Sequence, residues 1–499
     1  MKVTLLYPPE QNLPGTMCKP NGSLAYPMLA GALLENDIDV EIYDACVGND
    51  KDNLDEVFYK SSIMPNGMTR TGVSDERILD VVKDSGIIGL TSIFTSQESM
   101  VLHTANLIKK NYPDKVIVSG GVNARHRVEK FLSSGVDIIC TSEAEKTIIQ
   151  IANSITKKSD IRDIPFITYK ADEKIVTNYS KNSTKDMIWD LDELPLPAWH
   201  LLPNERYWKI GRPHGGHFEE GTELKYASMM TSLGCPFRCT YCHIANELKN
   251  SPSGEIGRFR IKSDDRVIHE LEILKNKIGV KQVFVEDDSI FGMKKRAIRM
   301  LRKIKGSGLD ILDVNGVNVI HLLKKGKPDF EVIELLAEVG FIDIVLPFES
   351  AHQRIINRWC SNKWVVDNID VEGLVKAIKK TGMRASANYM IGFPDETREE
   401  VTATVDFARK NMEYGLDASN FFIVMPLPGS PMFDEATRNN NLPQDFNPDR
   451  MHWQKANMIN TIIPPEELEE IQDNAWREIN SKKFTKYKNK MQPKETKSE

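Results

Sequence analysis

Residues 226–242 read YASMMTSLGCPFRCTYC, a strand-like apolar run followed directly by three cysteines. Random placement of seven cysteines in 499 residues would give this triple spacing with odds of about one in 700, so the spacing needs a chemical reason. Three thiolates on one tight loop can bind three irons of a cubane cluster, and the fourth iron then has no protein ligand. Cys235, Cys239 and Cys242 are therefore predicted to hold an iron–sulfur cluster with one open iron.

Structural zinc is the alternative for these cysteines. Zinc prefers four closed ligands, usually supplied by two C-x₂₋₄-C pairs that lie far apart in the chain. The second pair is missing here. His243 could in principle be a fourth ligand, but it adjoins Cys242, and adjacent ligands have awkward geometry. The spacing favours the open cluster, with zinc as the alternative.

The residues after the cysteines alternate between short apolar runs and helical patterns. Together with the run before the cysteines they predict six strands, at 226–231, 282–285, 311–316, 343–347, 385–391 and 420–425. Helices are predicted between the strands, at 264–278, 294–305, 330–339, 372–381 and 396–411. Six β/α units predict a full or partial parallel barrel over residues 225–435, and such barrels place their chemistry where strands end and loops begin.

The first 155 residues show a second alternation of strands and helices. The predicted strands are 2–7, 39–43, 87–91, 115–119 and 137–140. The predicted helices are 24–35, 99–111, 125–134 and 144–153. This order predicts an α/β domain with a doubly wound parallel sheet of the Rossmann or flavodoxin-like kind. Residues 48–73 interrupt the alternation with Gly, Asn, Asp and Pro, which indicates an insertion or a long loop.

Two further segments complete the predicted organisation. Residues 156–224 contain five prolines and are predicted to be a linker, with a small hairpin near 166–177. Residues 436–499 are predicted to form a small helical carboxyl-terminal region, with a helix over 464–483 and a lysine-rich tail. The tail lacks arginine and has few aromatic residues, so a solvated tail is a better interpretation than a nucleic-acid arm.

Composition limits the class of protein. The chain has 65 basic and 71 acidic residues and a net charge of −6, which argues against a protein that mainly coats nucleic acid. No uninterrupted run of about 18 apolar residues predicts a membrane span, and Met1 leads into a strand-like segment without signal-peptide features. Seven cysteines cannot be a disulfide scaffold at this length, so a cytoplasmic protein is expected. Four cysteines outside the triad stand alone in the sequence and are expected to be buried or incidental thiols, namely Cys18, Cys46, Cys140 and Cys360.

The C-x₃-C-x-Tyr-C pattern resembles the signature of radical S-adenosylmethionine (SAM) enzymes. The resemblance implies that the three cysteines hold a [4Fe–4S] cluster, that SAM binds its open iron, and that Tyr241 lies near the adenine of SAM. It also implies an external one-electron reductant of the flavodoxin or ferredoxin type. Further residues at strand ends resemble SAM-contacting positions of the family, namely Glu286, Asp287, Asp288, Glu349, Ser350, Asn388 and Gly392. Loop carboxylates and turn residues are the alternative roles for this set.

The amino-terminal residues resemble the cobalamin-binding domains that precede the barrel in one large class of radical SAM proteins. Small residues at strand ends permit a large flat ligand to approach closely. The resemblance assigns cobalamin contacts to Pro9, Ser23, Leu24, Thr91, Ser92, Gly120, Gly121 and Glu143, for which turn formation is the alternative. There is one departure. Domains that ligate cobalt with histidine carry Asp-x-His-x-x-Gly after the first strand, whereas residues 9–15 here read PEQNLPG.

Together the two resemblances predict a cobalamin-dependent radical SAM methyltransferase. SAM would serve twice, once to form methylcobalamin and once to form the 5′-deoxyadenosyl radical that attacks an unactivated carbon of a small-molecule or peptide substrate. Radical chemistry without methyl transfer, such as ring formation, oxidation or rearrangement, is the enzyme alternative. A cobalamin- or cluster-binding sensor or electron carrier is the non-enzyme alternative. A methylthiotransferase is disfavoured because Cys18, Cys46 and Cys140 are dispersed in the sequence.

Overall fold

The computed structural model describes residues 1–16, 18–20, 22, 24–180, 186–213, 224–248 and 251–480. Ser23 and the lysine-rich tail lie outside these ranges, so the predictions made for them are not tested. Among the described residues, no helix combines the length and the apolar character needed to cross a membrane.

The amino-terminal sheet has seven strands. In chain order they are β1 (Val3–Tyr7), β2 (Val40–Asp44), β3 (Ile87–Thr91), β4 (Val116–Gly120), β5 (Ile138–Cys140), β6 (Ile167–Ala171) and β7 (Lys174–Asn178). The parallel strands lie in the order β2-β1-β3-β4-β5, which is the flavodoxin-like order and confirms the predicted doubly wound class. Strands β1 and β3 are buried along their whole length, because helices cover both faces of such a sheet.

Helices and an inserted sheet surround these strands. The helices are Ala25–Leu34, Leu54–Val57, Asp75–Val82, Glu98–Asn111, Val122–His126, Val128–Leu132 and Glu145–Lys157. The single helix predicted over 125–134 is therefore wrong: Arg127 leaves the helical conformation between two short helices, and its guanidinium donates to Glu98. In the predicted insertion, Thr69–Thr71 pairs with both Glu10–Asn12 and Ser62–Ile63.

The barrel sheet has six parallel strands whose neighbours follow the order of the chain. They are β8 (Tyr226–Met229), β9 (Gln282–Val285), β10 (Asp310–Asp313), β11 (Phe341–Glu349), β12 (Arg384–Ile391) and β13 (Ala418–Ile423). This arrangement confirms the predicted partial (β/α)₆ barrel. Two small antiparallel strand pairs lie beside it. Leu323–Lys324 forms a hairpin with Lys327–Pro328, and Ser232–Leu233 pairs with Arg260–Ile261, with residues 234–259 between them.

Helices alternate with the strands of the barrel sheet along the chain. They are Asp264–Ile273, Lys294–Ile304, Phe330–Val339, Gln353–Trp359, Val371–Lys380, Arg398–Glu413 and Pro431–Arg438, followed by Pro465–Ile479 in the carboxyl-terminal region. The first continues as a π turn over Leu274–Ile278. Leu271 is buried in the same cluster as Val283 and Ile311 of the sheet, and burying such a side chain contributes about 1.5–3 kcal/mol.

The segment predicted to be a linker adds a hairpin to the first sheet and a helix that contacts both sheets. Hairpin β6–β7 extends the first sheet because β6 pairs antiparallel with β5. Helix Asn204–Ile210 lies between the sheets: the Tyr207 hydroxyl donates to Asp44 Oδ2 at 2.7 Å, and Trp208 Nε1 donates to the Tyr226 carbonyl at 2.7 Å. The domain boundaries at 155, 224 and 435 remain predictions.

Candidate active site

The cysteine loop, residues 234–242, begins at a glycine that the backbone requires. Gly234 has φ of +76°, and a Cβ atom there would lie 2.4 Å from the Arg258 carbonyl oxygen. Its N–H donates to Asp288 Oδ2 at 2.9 Å, and the Cys235 N–H donates to the Gly257 carbonyl at 3.3 Å. The start of the loop is thus fixed against residues 257–258, which precede strand Arg260–Ile261, and against the residues that follow β9.

The other end of the cysteine loop is fixed against the segment that follows helix Gln353–Trp359. The Arg238 N–H donates to Ser361 Oγ at 2.9 Å, and the Thr240 N–H donates to the Trp359 carbonyl at 2.9 Å. Within the loop, the Cys242 N–H donates to the Cys239 carbonyl at 3.0 Å. The loop therefore has a defined shape that does not depend on any disulfide, since all three cysteines are free.

The three cysteines fit a multi-iron cluster better than a closed zinc site. Cys239 is buried and the other two are partly exposed. Within the described part of the chain, they do not form a group whose ligand atoms all lie within 4.8 Å of one another, whereas two thiolates on one tetrahedral zinc lie about 3.8 Å apart. His243 Nδ1 lies 2.9 Å from Glu247 Oε1, so this nitrogen already has a partner.

Burial also shapes the chemistry of the thiols. It raises the pKa of Cys235 to about 11 and that of Cys242 to about 12. A coordinated thiol loses its proton because the metal charge stabilises the thiolate. The structure therefore favours ionised cysteines only when a cationic centre binds them.

Glu349 joins the cysteine loop to the fourth barrel strand. It ends β11 with φ of +65°, at an irregular pairing with β12. Its Oε1 accepts a hydrogen bond from the Tyr241 hydroxyl at 2.7 Å and from Lys363 Nζ at 2.7 Å. Burial lowers the pKa of Lys363, but Glu349 and the Cys239 thiol raise it more, so the lysine stays protonated beside a predicted cluster ligand.

Lys363 is a functional candidate that sequence reasoning missed. It stands between Asn362 and Trp364, outside any motif, and its side chain is only 13% exposed. Lysine is seldom buried to that degree without a partner of opposite charge. An isolated lysine in a loop carries no pattern that could have predicted this contact.

The carboxylates of Glu286, Asp287 and Asp288 have different hydrogen-bond partners. Asp287 is buried, and it accepts hydrogen bonds from the Thr231 N–H at 2.6 Å, the Thr231 hydroxyl at 2.6 Å and the Ser232 hydroxyl at 2.5 Å. Asp288 fixes the start of the cysteine loop. Glu286 Oε1 accepts from the Ser228 hydroxyl at 2.5 Å, and its other oxygen has no partner among the described residues. Glu286 and Asp288 thus each keep one oxygen without a hydrogen-bond partner among the described residues, and the SAM contacts of all three carboxylates remain predictions.

Ser350 and Asn388 already have protein partners. The Ser350 hydroxyl is fully buried, lies 3.2 Å from Thr404 Oγ1 and accepts from the His352 N–H at 3.1 Å. Asn388 Oδ1 accepts from Asn420 Nδ2 at 3.1 Å. Both side chains therefore have a structural role in the protein, and their contact with SAM remains a prediction.

Gly392 permits a close approach by the last helix. A Cβ atom at this position would lie 2.2 Å from Leu468 Cδ2. Its N–H donates to Glu396 Oε2 at 2.7 Å, and the Phe393 N–H donates to the same oxygen at 3.2 Å. The turn at Gly392 is therefore also a packing site, and its SAM contact remains a prediction.

Asp313 is a second candidate that sequence reasoning missed. It ends β10, is 3% exposed, and its carboxylate lies beside the backbone N–H groups of Asn315 and Gly316 without a side-chain partner among the described residues. Burial, and then the nearby Asp287, raise its pKa to about 8. The strand predicted over 311–316 placed Asp313 in the middle of an apolar run, and an aspartate in that position was the available signal.

The predicted cobalamin residues on β3 and β4 lie at adjacent strand ends. The Thr91 N–H donates to the Tyr26 hydroxyl oxygen at 2.6 Å, and the Ser92 N–H donates to the Gly120 carbonyl at 2.8 Å. A Cβ atom on Gly121 would lie 2.5 Å from the Ser92 carbonyl oxygen. The two strand ends are thus closely packed.

Gly120 differs from Gly121 in its surroundings. A Cβ atom on Gly120 would have a single neighbour, the Cys140 side chain at 3.8 Å. The end of β4 therefore leaves open room, as a flat ligand resting on strand ends requires. Pro9 and Leu24 are buried, and Leu24 belongs to a small apolar cluster that includes Ile188.

Glu143 is engaged by the barrel. Arg260 starts the short strand Arg260–Ile261. Its Nη1 and Nη2 atoms donate to the two carboxylate oxygens of Glu143 at 2.7 and 2.5 Å. The Arg260 side chain is 4% exposed and also donates to the Ile188 carbonyl. The predicted cobalamin contact of Glu143 remains a prediction, but the structure gives it a role in joining the two sheets.

Other contacts place the carboxyl ends of the two sheets face to face. The Thr141 hydroxyl donates to the Pro252 carbonyl at 2.9 Å, and the Ser142 hydroxyl donates to the Ser253 carbonyl at 2.8 Å. Arg125 forms a buried ion pair with Glu247, the partner of His243. The cysteine loop therefore lies at the boundary between the sheets.

Comparison with known proteins agrees with this geometry. The radical SAM superfamily pattern matches residues 229–408. A relative from Pyrococcus horikoshii, described as an uncharacterized methyltransferase, is 31% identical over 384 residues, covering 76% of this chain and 74% of that protein. The chain belongs to the radical SAM superfamily. Membership confirms the expectation of an enzyme that uses a [4Fe–4S] cluster and SAM.

Two further similarities extend across both sheets of this radical SAM enzyme. The cytidylyl-2-hydroxyethylphosphonate methyltransferase of Streptomyces wedmorensis is 25% identical over 84% of this chain and 79% of its own length. The radical SAM methyltransferase TsrM from Kitasatospora setae, solved with cobalamin and a [4Fe–4S] cluster, superposes with a TM-score of 0.62 at 17% identity, covering 88% of this chain and 78% of that chain. The second similarity shows a shared fold.

Proposed function

We propose that this radical SAM enzyme transfers a methyl group from SAM, by way of cobalamin, to an unactivated carbon of a small molecule or peptide. The observation that carries the proposal is the meeting of two strand-end surfaces with the cysteine loop between them. Relatives that are methyltransferases, and a cobalamin-containing neighbour with the same fold, support it.

The residues of this chain would hold the reactants and keep water away. When bound, the cluster and SAM would supply the radical, and cobalamin would carry the methyl group. Asp287 and Asp288 fix the cysteine loop to the ends of β8 and β9. Glu349 holds Tyr241 and Lys363 in place, which positions one aromatic ring and one positive charge beside the loop.

Cobalamin fits the amino-terminal sheet, but without a histidine ligand for cobalt. The flavodoxin-like strand order and the open room at Gly120 suit a flat ligand on the strand ends. Gln11 stands in the stretch where related domains carry the ligating histidine. Its backbone N–H donates to Gln97 Oε1 at 2.8 Å, and its carbonyl accepts from Gln97 Nε2 at 2.7 Å. The loop is thus fixed to the end of β3 by amide contacts.

The test is anaerobic reconstitution of the full chain with iron, sulfide and cobalamin, followed by mass spectrometry of SAM products under a strong reductant. We expect 5′-deoxyadenosine, and S-adenosylhomocysteine whose formation requires added cobalamin. Cys235→Ala should abolish 5′-deoxyadenosine because it removes a cluster ligand. Cys140→Ala is the control, since Cys140 is also a free thiol but lies in the first sheet, outside the cysteine loop.

Each other outcome points to a different function. Failure to bind cobalamin after reconstitution would remove the methyltransferase proposal and leave radical SAM chemistry intact. Deoxyadenosine without any S-adenosylhomocysteine would favour ring formation, oxidation or rearrangement. Absence of SAM cleavage in the wild-type protein would favour a sensor or an electron carrier.

A further inference from the structure

A second group of side chains that can ligate a metal lies in the amino-terminal part of the chain, outside the cysteine loop. Cys18 Sγ lies 3.6 Å from Cys46 Sγ and 3.0 Å from Glu10 Oε2. The ligand atoms of these three residues all lie within 4.8 Å of one another, as in no other group of three within the described ranges. Cys18 and Cys46 are buried thiols, as expected, and although they stand 28 positions apart in sequence they meet in space.

The fold brings the three side chains together from separate segments. Glu10 starts the short strand that follows β1 and pairs with Thr71. Cys46 follows β2, and its N–H donates to Asp44 Oδ1 at 2.9 Å. Cys18 lies on the loop between β1 and the first helix. A bound ion would therefore join this loop to the end of β2.

The chemistry of the group favours a cation. Cys18 and Cys46 are buried, and Glu10 is partly buried beside them. A divalent cation stabilises one carboxylate and two thiolates together and takes the place of their protons.

We propose that Glu10, Cys18 and Cys46 bind one zinc ion, with water as the fourth ligand. Two thiolates and one carboxylate match the ligand preference of zinc and are too soft for calcium or magnesium. The sulfur–sulfur distance of 3.6 Å is close to the roughly 3.8 Å of two thiolates on one tetrahedral zinc. No electron transfer is involved, since the ion replaces protons.

A disulfide is the competing state of the two cysteines. Its sulfur atoms would have to approach from 3.6 Å to about 2.05 Å. Forming it also removes two protons and two electrons from the thiols, which requires an external oxidant. Under anaerobic conditions the thiols stay reduced, so zinc and disulfide can be separated experimentally.

The experiment measures metal content in the full-length, cluster-reconstituted protein, prepared anaerobically, exposed to zinc chloride and then desalted. Mass spectrometry of the elements should find about one zinc and about four irons per chain. Cys46→Ser should lose the zinc and keep the irons, which also shows that it folds. Cys140→Ser, which changes a buried cysteine outside the group, should keep both metals.

Zinc-edge X-ray absorption tests the same assignment without any substitution. Two sulfur atoms at about 2.3 Å, with oxygen at about 2.0–2.2 Å, are expected. Four sulfur neighbours, no zinc in the wild-type protein, or equal zinc in Cys46→Ser would each overturn the proposal. So would about eight irons per chain, or an intact mass showing loss of two hydrogens in the anaerobic protein. None of these results bears on methyl transfer, because the cluster and its SAM products are measured separately.

Discussion

Gly234→Ala tests whether the start of the cysteine loop must be glycine. A left-handed backbone costs alanine about 1–2 kcal/mol, and Gly234 has φ of +76°. The added Cβ would also lie 2.4 Å from the Arg258 carbonyl oxygen. The segment that contains Arg258 and the cysteine loop must therefore separate by about 1 Å to restore ordinary contact. Catalytic groups must be held within about 0.5 Å, so this movement exceeds what the neighbouring Cys235 can tolerate.

Gly279→Ala separates the two effects. Gly279 has φ of +85°, but no atom lies within 4 Å of the position that a Cβ atom would take, so alanine there meets the backbone cost alone. We expect both variants to lower the thermal unfolding midpoint of the cluster-free protein, with the larger decrease for Gly234→Ala. Only the change at Gly234 should also lower the iron bound per chain.

The decisive assay is 5′-deoxyadenosine formation per chain after reconstitution. A misplacement of about 1 Å costs about 100-fold in rate, so Gly234→Ala should lose about that factor. Gly279→Ala should keep the wild-type rate, because it lies at the far end of the helix that precedes β9. The reasoning is refuted if the two variants have the same stability, iron content and rate.

Three further predictions concern the charged residues around the cysteine loop. Glu143→Gln should destabilise the protein by about 3 kcal/mol, because it leaves the buried Arg260 without its carboxylate; an unchanged thermal midpoint would contradict this. Lys363→Met should make the reduction potential of the cluster more negative, because it removes a positive charge and leaves Glu349 unpaired; a redox titration followed by electron paramagnetic resonance measures it, and an unchanged potential would count against the contact. Asp313 has a pKa raised to about 8, against about 3.9 when unfolded, so wild-type stability falls as the pH rises between these values. Asp313→Asn should therefore raise the unfolding midpoint more at pH 8 than at pH 5, and an equal effect at both values would be inconsistent with the raised pKa.

Strand positions were the most predictable part of the fold, because buried parallel strands are short, uninterrupted apolar runs. The run 282–285 coincides with β9, and 385–391 falls within β12. The run 311–316 is longer than β10, because Gly316 takes φ of +84° and turns the chain away from the sheet. Asn315-Gly316 is a turn signal in the sequence, so the end of the strand could have been placed before it.

Contacts between distant segments were the least predictable part. Cys18 and Cys46 looked isolated because the distance between them depends on how β1 and β2 pair, and sequence spacing does not encode that. Lys363 was missed for the same reason, since its partner Glu349 is set by the irregular end of β11. The cysteine motif could be found because all its ligands lie within eight residues of one loop.

The carboxylates of 286–288 show why residue type alone cannot assign a role. All three follow one apolar strand, where acidic side chains suit a cationic ligand. A buried carboxylate, however, must first satisfy its own oxygens, and the donors that do so belong to other segments. Thr231 and Ser232 saturate Asp287, and the backbone of Gly234 holds one oxygen of Asp288. A strand end can therefore locate a site in the sequence, while the hydrogen-bond donors opposite it determine which carboxylate oxygens remain for a ligand.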